Sequence, residues 1–272
     1  MPVRWSVFDG YGLPSGLPSW DGAKAWTAEG DALLGAERAV VARRRDEFSA
    51  SIQDIGGDPT IRDWTAFRVL RRDREEDWSD WLANLLEDSV TGQFACALLG
   101  AAAADVPSAF AGPRVQREVA CPPYRADLLV QWRDASYSHF EIKVGDPDLG
   151  KTLTTAKVLE SQLRGLKRRH DVLLVLPSQV DAWEVECRNE SQAGSRILLR
   201  TWLDVARALR SSLPAKAGEP LEWRVWARAF GGAVEQELLG VGAGADADRW
   251  AAGLTFQGLA TAAKLFGVSG DE

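Results

Sequence analysis

The sequence predicts an α/β fold, a mixed central sheet flanked by helices, and three observations point to it. Strand-like segments VQREVAC, RADLLVQW and HFEIKV follow two helical patterns. An amphipathic helix then separates HFEIKV from DVLLVLP, a continuous apolar run of the kind found in strands buried on both faces. Finally, strand-like RILLR runs into the helical WLDVARALRSSL, which repeats the alternation.

Residues 1–72 are expected as an N-terminal extension: a Gly/Pro/Trp-rich opening, a helix from about Ala32 to Ser51, and a turn at GGDP. Its Trp5, Trp20 and Trp26 are expected to pin the extension onto a core rather than to stack on bases. From Arg74, REEDWSDWLANLLED places Trp78, Trp81, Leu82, Leu85 and Leu86 on one helical face. A second helix runs through Phe94, Ala97, Leu98 and the alanine run and ends before Pro107. The polar turn Asp134 to Ser138 joins the second and third strands, so the first three form an antiparallel meander.

Beyond Gly150, Leu153, Ala156, Leu159, Leu163 and Leu166 mark the connecting helix, and another is expected around Val180 to Cys187. The α/β core thus spans 73–213. Pro214 to Pro220 reads as a linker. Helices around Glu222 to Leu239 and Trp250 to Phe266, separated by GVGAGADAD, make a C-terminal helical lobe over 214–272 that packs back on the core.

Composition narrows the function classes. A chain of 272 residues with 46% hydrophobic residues can bury a large core, which excludes wholesale disorder and a stapled miniprotein. Its apolar runs fall short of a bilayer span, and MPVRWSVFDGYG lacks the apolar stretch of a secretory signal, so a cytoplasmic protein with no membrane partner is expected. Cys96, Cys121 and Cys187 have no close pairing and read as reduced core residues. Two histidines, His139 and His170, are too few for a histidine-rich zinc site. The net charge of -7 argues against a generic polyanion binder. From Ala111 to His170, however, 11 Lys or Arg stand against 7 Asp or Glu, a net of +4 that leaves -11 for the rest. A phosphate-binding surface would lie in that middle stretch.

The chemistry-bearing residues are Asp127 on the second strand and Glu141 and Lys143 on the third. Side chains alternate faces along a strand, and opposite residues of a hairpin share a face. A tight turn centred near Ala135 puts Asp127 opposite Lys143 and diagonal to Glu141, all on one face. Two carboxylates on a half-buried face need a neutralising partner, and a hard divalent cation such as Mg2+ takes such oxygens together with waters and a substrate phosphate. The Ile142 carbonyl could add another oxygen. Lys143 would orient or help deprotonate a water and stabilise charge on phosphorus. The chemistry implied is phosphodiester hydrolysis.

On these residues the chain resembles the PD-(D/E)XK phosphodiesterase superfamily, with Asp127 in RADLLV and Glu141-Ile142-Lys143 after a hairpin turn. The order helix, three strands, helix, strand over about Arg74 to Leu176 is similar to that superfamily's restriction-endonuclease-like core. Glu76, Ser79, Leu82, Ala83, Leu85 and Leu86 fit a Glu-x-x-Ser-x-x-Leu-Ala-x-Leu-Leu pattern of some bacterial branches, and Gln162-Leu163 fits a Gln-Leu pair on the following helix. One departure is Ala126, where the superfamily name has proline. The resemblance implies a DNA nuclease using Mg2+, with Mn2+ as an alternative ion, in restriction or anti-phage defence. It further implies that Glu76 is an auxiliary metal ligand beside Asp127 and Glu141 or a water-positioning group, and that Gln162 is an active-site contact.

Lys151, Lys157, Arg164, Lys167, Arg168 and Arg169 are placed along or at the ends of the helix after Gly150, where they would hold backbone phosphates or, for KRRH, close the helix C-terminus. Two other functions compete. One is a nuclease-like module that binds DNA or a protein partner without cleaving. The other is a P-loop NTPase, because Gly145 to Thr152 satisfies G-x-x-x-x-G-K-[ST]. Against the P-loop, Asp146 and Asp148 would face the polyphosphate, Pro147 removes a donor, HFEIKV is charged in alternation, and no downstream strand ends in a Mg2+-holding Asp. Double-strand cleavage with one site per chain would call for a homodimer or an accessory defence protein.

Overall fold

The strands β1 (Arg114–Cys121), β2 (Tyr124–Gln131), β3 (Ser136–Ile142), β4 (Lys167–Val175) and β5 (Ile197–Thr201) form one sheet in sequential order. β1–β2 and β2–β3 are antiparallel, and β3–β4 and β4–β5 are parallel, so the sheet is mixed. The chain is an α/β protein. The computed structural model describes residues 20–65, 74–100, 107–145, 149–184, 187 and 197–268.

Alternation along the strands sorts their side chains to two faces. Leu128, Val130, Phe140, Ile142, Val172 and Leu174 join the main core with Trp78 of α2 (Glu75–Asp88) and Trp202 of α5 (Trp202–Ser212). The Trp78 and Trp202 rings meet edge to face at 5.7 Å, and both also meet Phe230 of α6 (Leu221–Ala233). Leu129 and Tyr137 point to the opposite face, where Leu159 of α4 (Leu149–Gln162) covers them. The site-bearing positions 127, 139, 141, 143 and 171 belong to this second face.

Three expected elements differ in extent. The turn before β3 is tighter than Asp134 to Ser138: Trp132 N–H donates to Ser136 O at 2.8 Å, and β3 already begins at Ser136. The Asp134 carboxylate accepts from both the N–H and the hydroxyl of Ser136, and Ala135 takes φ +57°. Next, α4 stops at Gln162, and Lys167–His170 belong to β4 rather than to a helix end. Cross-strand pairing of Lys167 with Ser136 and Arg168 with Tyr137 outweighs the helical reading of that basic run. Last, the final helix divides into α7 (Ala247–Gly253) and α8 (Phe256–Leu265), because Thr255 caps α8 by accepting from Gly258 N–H.

α3 (Gln93–Leu99) ends at Gly100, which adopts φ +60°, and the alanine run beyond it lies outside the described residues. α1 (Trp20–Ser51) starts earlier than the expected Ala32. Trp26 on it is 43% exposed, while Trp5 and the Trp20 side chain lie outside the described residues. The anchoring instead comes from Val41, Ala42 and Arg45 on α1 and from Ile52 just after it, all buried, with α1 packed along α7. Arg210 of α5 completes this joint. Its guanidinium donates to Asp58 Oδ2 at 2.6 Å and forks onto Glu235 at 2.7 and 2.8 Å, all three side chains being buried.

Candidate active site

β2 runs antiparallel to β3, so the start of β2 lies beside the end of β3. The ladder pairs Leu128 with Phe140, and one step further on Asp127 stands beside Glu141. The pairing is offset from the expected one. Asp127 faces Glu141 rather than Lys143, because the tighter turn centres the hairpin on Asp134 instead of Ala135. The shift is two residues in register, so the three side chains keep a common face. The chain Asp127 Oδ2 accepts from Ile142 N–H at 2.7 Å, which locks one carboxylate oxygen to the neighbouring strand.

The two carboxylates share a cation. Lys151 Nζ, from the first turn of α4, lies 3.1 Å from Asp127 Oδ1 and 2.7 Å from Glu141 Oε1. Lys143 Nζ lies 2.9 Å from the same Glu141 oxygen and 3.9 Å from Glu75 Oε2. Glu75, at the start of α2, also accepts from Val144 N–H at 2.9 Å, and the Trp202 indole donates to Lys143 O at 3.2 Å. The end of β3 is therefore fixed from both sides. Glu141 is fully buried and Lys143 is 2% exposed, so their pairing lies out of water.

Behind Glu141 sits a group that the sequence reading did not assign. His139 is fully buried, with Nε2 3.8 Å from Glu141 Oε2 and Nδ1 3.5 Å from Asp171 Oδ1 on β4. Asp171 in turn accepts from Arg168 Nε at 2.8 Å. Acidic groups thus alternate with basic side chains in a line from Arg168 through Asp171, His139 and Glu141 to the two lysines. Burial pulls the His139 imidazole towards neutrality, but Asp171 and Glu141 outweigh it and raise its pKa. Burial likewise disfavours ionised Glu141, yet His139, Lys143 and Lys151 bring its pKa down to about 2. Asp127 goes the other way: burial and the neighbouring Glu141 charge raise its pKa, against the Ile142 N–H and Lys151. For Lys143 and Lys151 the desolvation cost is outweighed by the carboxylates, and both pKa values are raised.

An open cleft of about 230 Å³ leads to these groups, lined by Glu75, Glu76, Ser79, Glu118, Arg125, Asp127 and Lys151. Adding Glu141 and Lys143 at its floor gives five carboxylates (75, 76, 118, 127, 141) and three cations (125, 143, 151), an excess of two negative charges. That excess, and hard oxygen donors from Asp127 and Glu141, suit one divalent ion. Both Glu141 oxygens are buried without a well-directed hydrogen bond, although two ammonium groups stand close. The donor set therefore fits Mg2+ or Mn2+ at Asp127 and Glu141.

Glu76 does not join them as a third ligand. No group of three or more His, Cys, Asp or Glu side chains gathers as a metal cluster among the described residues. A helix turns about 100° per residue, so Glu75 rather than Glu76 reaches the end of β3, while Glu76 is an exposed wall of the cleft. Glu118 opposite Asp127 was also missed; it pairs with Arg125 at 2.9 Å.

The expected phosphate-binding residues scatter. Lys151 is committed to the two carboxylates. Lys157 is exposed on α4, and Gln162 and Arg164 lie at and beyond its far end. At 1.5 Å per residue, Gln162 stands about 16 Å along the helix from Lys151, so it is not an active-site contact. Lys167, Arg168 and Arg169 begin β4, alongside the start of β3 and at the opposite end of the sheet from Glu141. There Arg168 pairs with Asp171 and Glu160, and Arg169 with Asp134 at 2.6 Å.

The G-x-x-x-x-G-K-[ST] segment fares no better as a phosphate cradle. Residues 146–148 lie outside the described residues, Lys151 is held by carboxylates, and Thr152 is fully buried.

Comparison with known proteins finds no matching family model, no matching curated protein and no matching solved structure. No helix among the described residues is long and apolar enough to cross a membrane.

Proposed function

We propose that the chain is a metal-dependent nuclease of the PD-(D/E)XK, restriction-endonuclease-like class that hydrolyses phosphodiester bonds in DNA. One observation carries the reading: Asp127 and Glu141, from adjacent strands, converge on a single cation at 3.1 and 2.7 Å with Lys143 beside them, on the floor of an open cleft two negative charges in excess. The strand–turn–strand origin of the three side chains matches the motif in RADLLV and Glu-Ile-Lys.

Asp127 and Glu141 would hold the divalent ion. When bound, that ion supplies Lewis acidity towards a phosphoryl oxygen and makes a water a stronger acid. The chain's own residues do the rest. The Ile142 N–H and the His139–Asp171 pair fix the two carboxylates in place. Lys143, its proton held by Glu141 and Glu75, acts as a fixed positive charge beside the phosphorus centre and orients the attacking water. Glu76, Glu118 and Arg125 form the wall along which the strand would enter. By resemblance the setting is restriction or anti-phage defence.

The test is incubation of purified protein with plasmid, linear and single-stranded DNA and with RNA, in Mg2+ or Mn2+ and in chelator, beside Lys143→Ala. Metal-dependent DNA cleavage that Lys143→Ala loses is the expected result. Equal cleavage by both proteins would mark a contaminant and end the assignment. Binding without cleavage would favour a non-catalytic module, and ATP hydrolysis lost in Lys151→Ala would favour the P-loop.

A further inference from the structure

Lys151 stands where a metal would stand. Its ammonium lies between Asp127 Oδ1 and Glu141 Oε1, at 3.1 and 2.7 Å, and those are the oxygens that converge on the cleft. Asp127 Oδ2 is already occupied by the Ile142 N–H. A Mg2+ ion binds oxygens at about 2.0–2.1 Å and keeps waters around it. It has no room between these carboxylates while the ammonium is there.

The two lysines of the site differ in how freely they can leave. Lys143 is 2% exposed and is clamped by Glu141 and Glu75. Lys151 is 24% exposed, reaches in from the first turn of α4, and contacts solvent through the cleft. Its departure would leave Glu141 still paired with Lys143 and open the carboxylates to a divalent ion. A nucleic acid strand in the cleft offers phosphate oxygens to the released ammonium.

Resting on the nuclease reading above, we propose that Lys151 is a resident counter-cation that competes with the divalent metal for Asp127 and Glu141, and that a bound phosphodiester strand draws it away. Metal and nucleic acid then favour each other's binding. The coupling is reciprocal, because each ligand prefers the same displaced position of Lys151. Without substrate the Asp127–Glu141 pair is balanced by Lys143 and Lys151, and the two carboxylates are held in place before any ion arrives.

The test measures Mn2+ binding to the whole chain by calorimetry and by the paramagnetic signal of free Mn2+, without nucleic acid and then with a DNA duplex. Wild type is compared with Lys151→Met, Lys151→Gln and Lys151→Arg. Removal of the charge is expected to tighten Mn2+ binding by a factor in the range of about 5–150, the usual span of a coupling between sites. Lys151→Arg should keep weak binding. DNA should tighten Mn2+ binding to wild type and lose that effect in Lys151→Met. Thermal melting without metal reports folding of each variant, and Lys151→Gln, which keeps polar contacts, serves if Lys151→Met melts near room temperature. Equal or weaker Mn2+ binding by the charge-removed variants would overturn the competition while leaving the nuclease reading intact. Absence of Mn2+ binding to every protein, with and without DNA, would remove both.

Discussion

Arg210→Met tests the joint between the first helix and the C-terminal helices. Arg210 is the shared partner of Asp58 and Glu235, at 2.6 Å from one and 2.7 and 2.8 Å from the other, and its guanidinium also lies 4.7 Å from the Phe48 ring and 4.4 Å from the Phe266 ring. Methionine fills similar space but leaves two buried carboxylates without the cation they share, Arg45 remaining 3.8 Å from Asp58. Breaking a buried ion pair in this way costs about 3–5 kcal/mol, which is a large part of the roughly 5–15 kcal/mol that keeps a domain folded. At about 2–4 °C per kcal/mol for a chain of this size, the melting temperature should fall by roughly 10 °C.

The deficit should also depend on pH. In the wild type, burial acts to raise the Asp58 pKa, but Arg210 and the Thr60 hydrogen bonds overcome it and lower the value. Its stabilisation is therefore present above the unfolded value of about 3.8 and lost as pH falls through the lower folded value. Glu235 is raised by burial in spite of Arg210. In Arg210→Met the strongest opposition to burial is gone, leaving the Thr60 hydrogen bonds at Asp58 and the more distant Arg45, so both carboxylates take up protons more readily and the variant recovers relative to wild type as pH falls. Urea unfolding followed by tryptophan fluorescence at pH 7 and near pH 4 measures both effects. A loss below about 1 kcal/mol, or a gap that widens in acid, would refute the account.

Glu75→Ala should reduce DNA cleavage more than Glu76→Ala, since Glu75 alone of the two contacts Lys143 and the Val144 N–H; single-turnover rates compare them. Arg168→Ala and Arg169→Ala should leave the slope of log DNA affinity against log salt unchanged, where loss of a phosphate contact lowers it by about 1, because both residues pair with carboxylates at the far end of the sheet. Gly92→Ala should lower the melting temperature sharply: Gly92 adopts φ +72°, and an added Cβ would sit 2.0 Å from Pro107 O and 2.7 Å from Ala111 N. The left-handed strain alone is about 1–2 kcal/mol, and calorimetry should show more.

Much of the site was legible because strand alternation is a strict code. Asp127, Glu141 and Lys143 share parity, so any bulge-free hairpin whose paired residue numbers have an even sum brings them to one face, as the observed pairing of Leu128 with Phe140 does. Their register was harder to read, since it depended on whether the Asp134 side chain would cap Ser136 and start β3 early. A stretch such as KRRH satisfies a helix end and a strand start equally well, and only the partner strand decides. Glu75 and Glu76 are adjacent on a helix, so their difference is set by the angle at which α2 meets β3, which no local pattern encodes. His139 and Asp171 did leave a trace: His139 repeats the odd phase of Glu141 and Lys143, and Asp171 opens an otherwise apolar run. Lys151 reads from the sequence as a phosphate contact because it opens the helix after Gly150, whereas its partners come from β2 and β3.

β3 is the strand at which the sheet changes direction, antiparallel to β2 and parallel to β4. The exits of β3, β4 and β5 therefore lie on one rim, beside the β1–β2 turn in which Cys121 pairs with Tyr124, while the other rim carries the short hairpin closed by Asp134, Ser136 and Arg169. Evolution can lengthen or replace the segments that leave β3 and β4 on the first rim without disturbing strand pairing, and any new contact made there lands beside Asp127, Glu141 and Lys143. Tinkering at the closed rim would instead slide one strand past the next and dismantle the carboxylate pair.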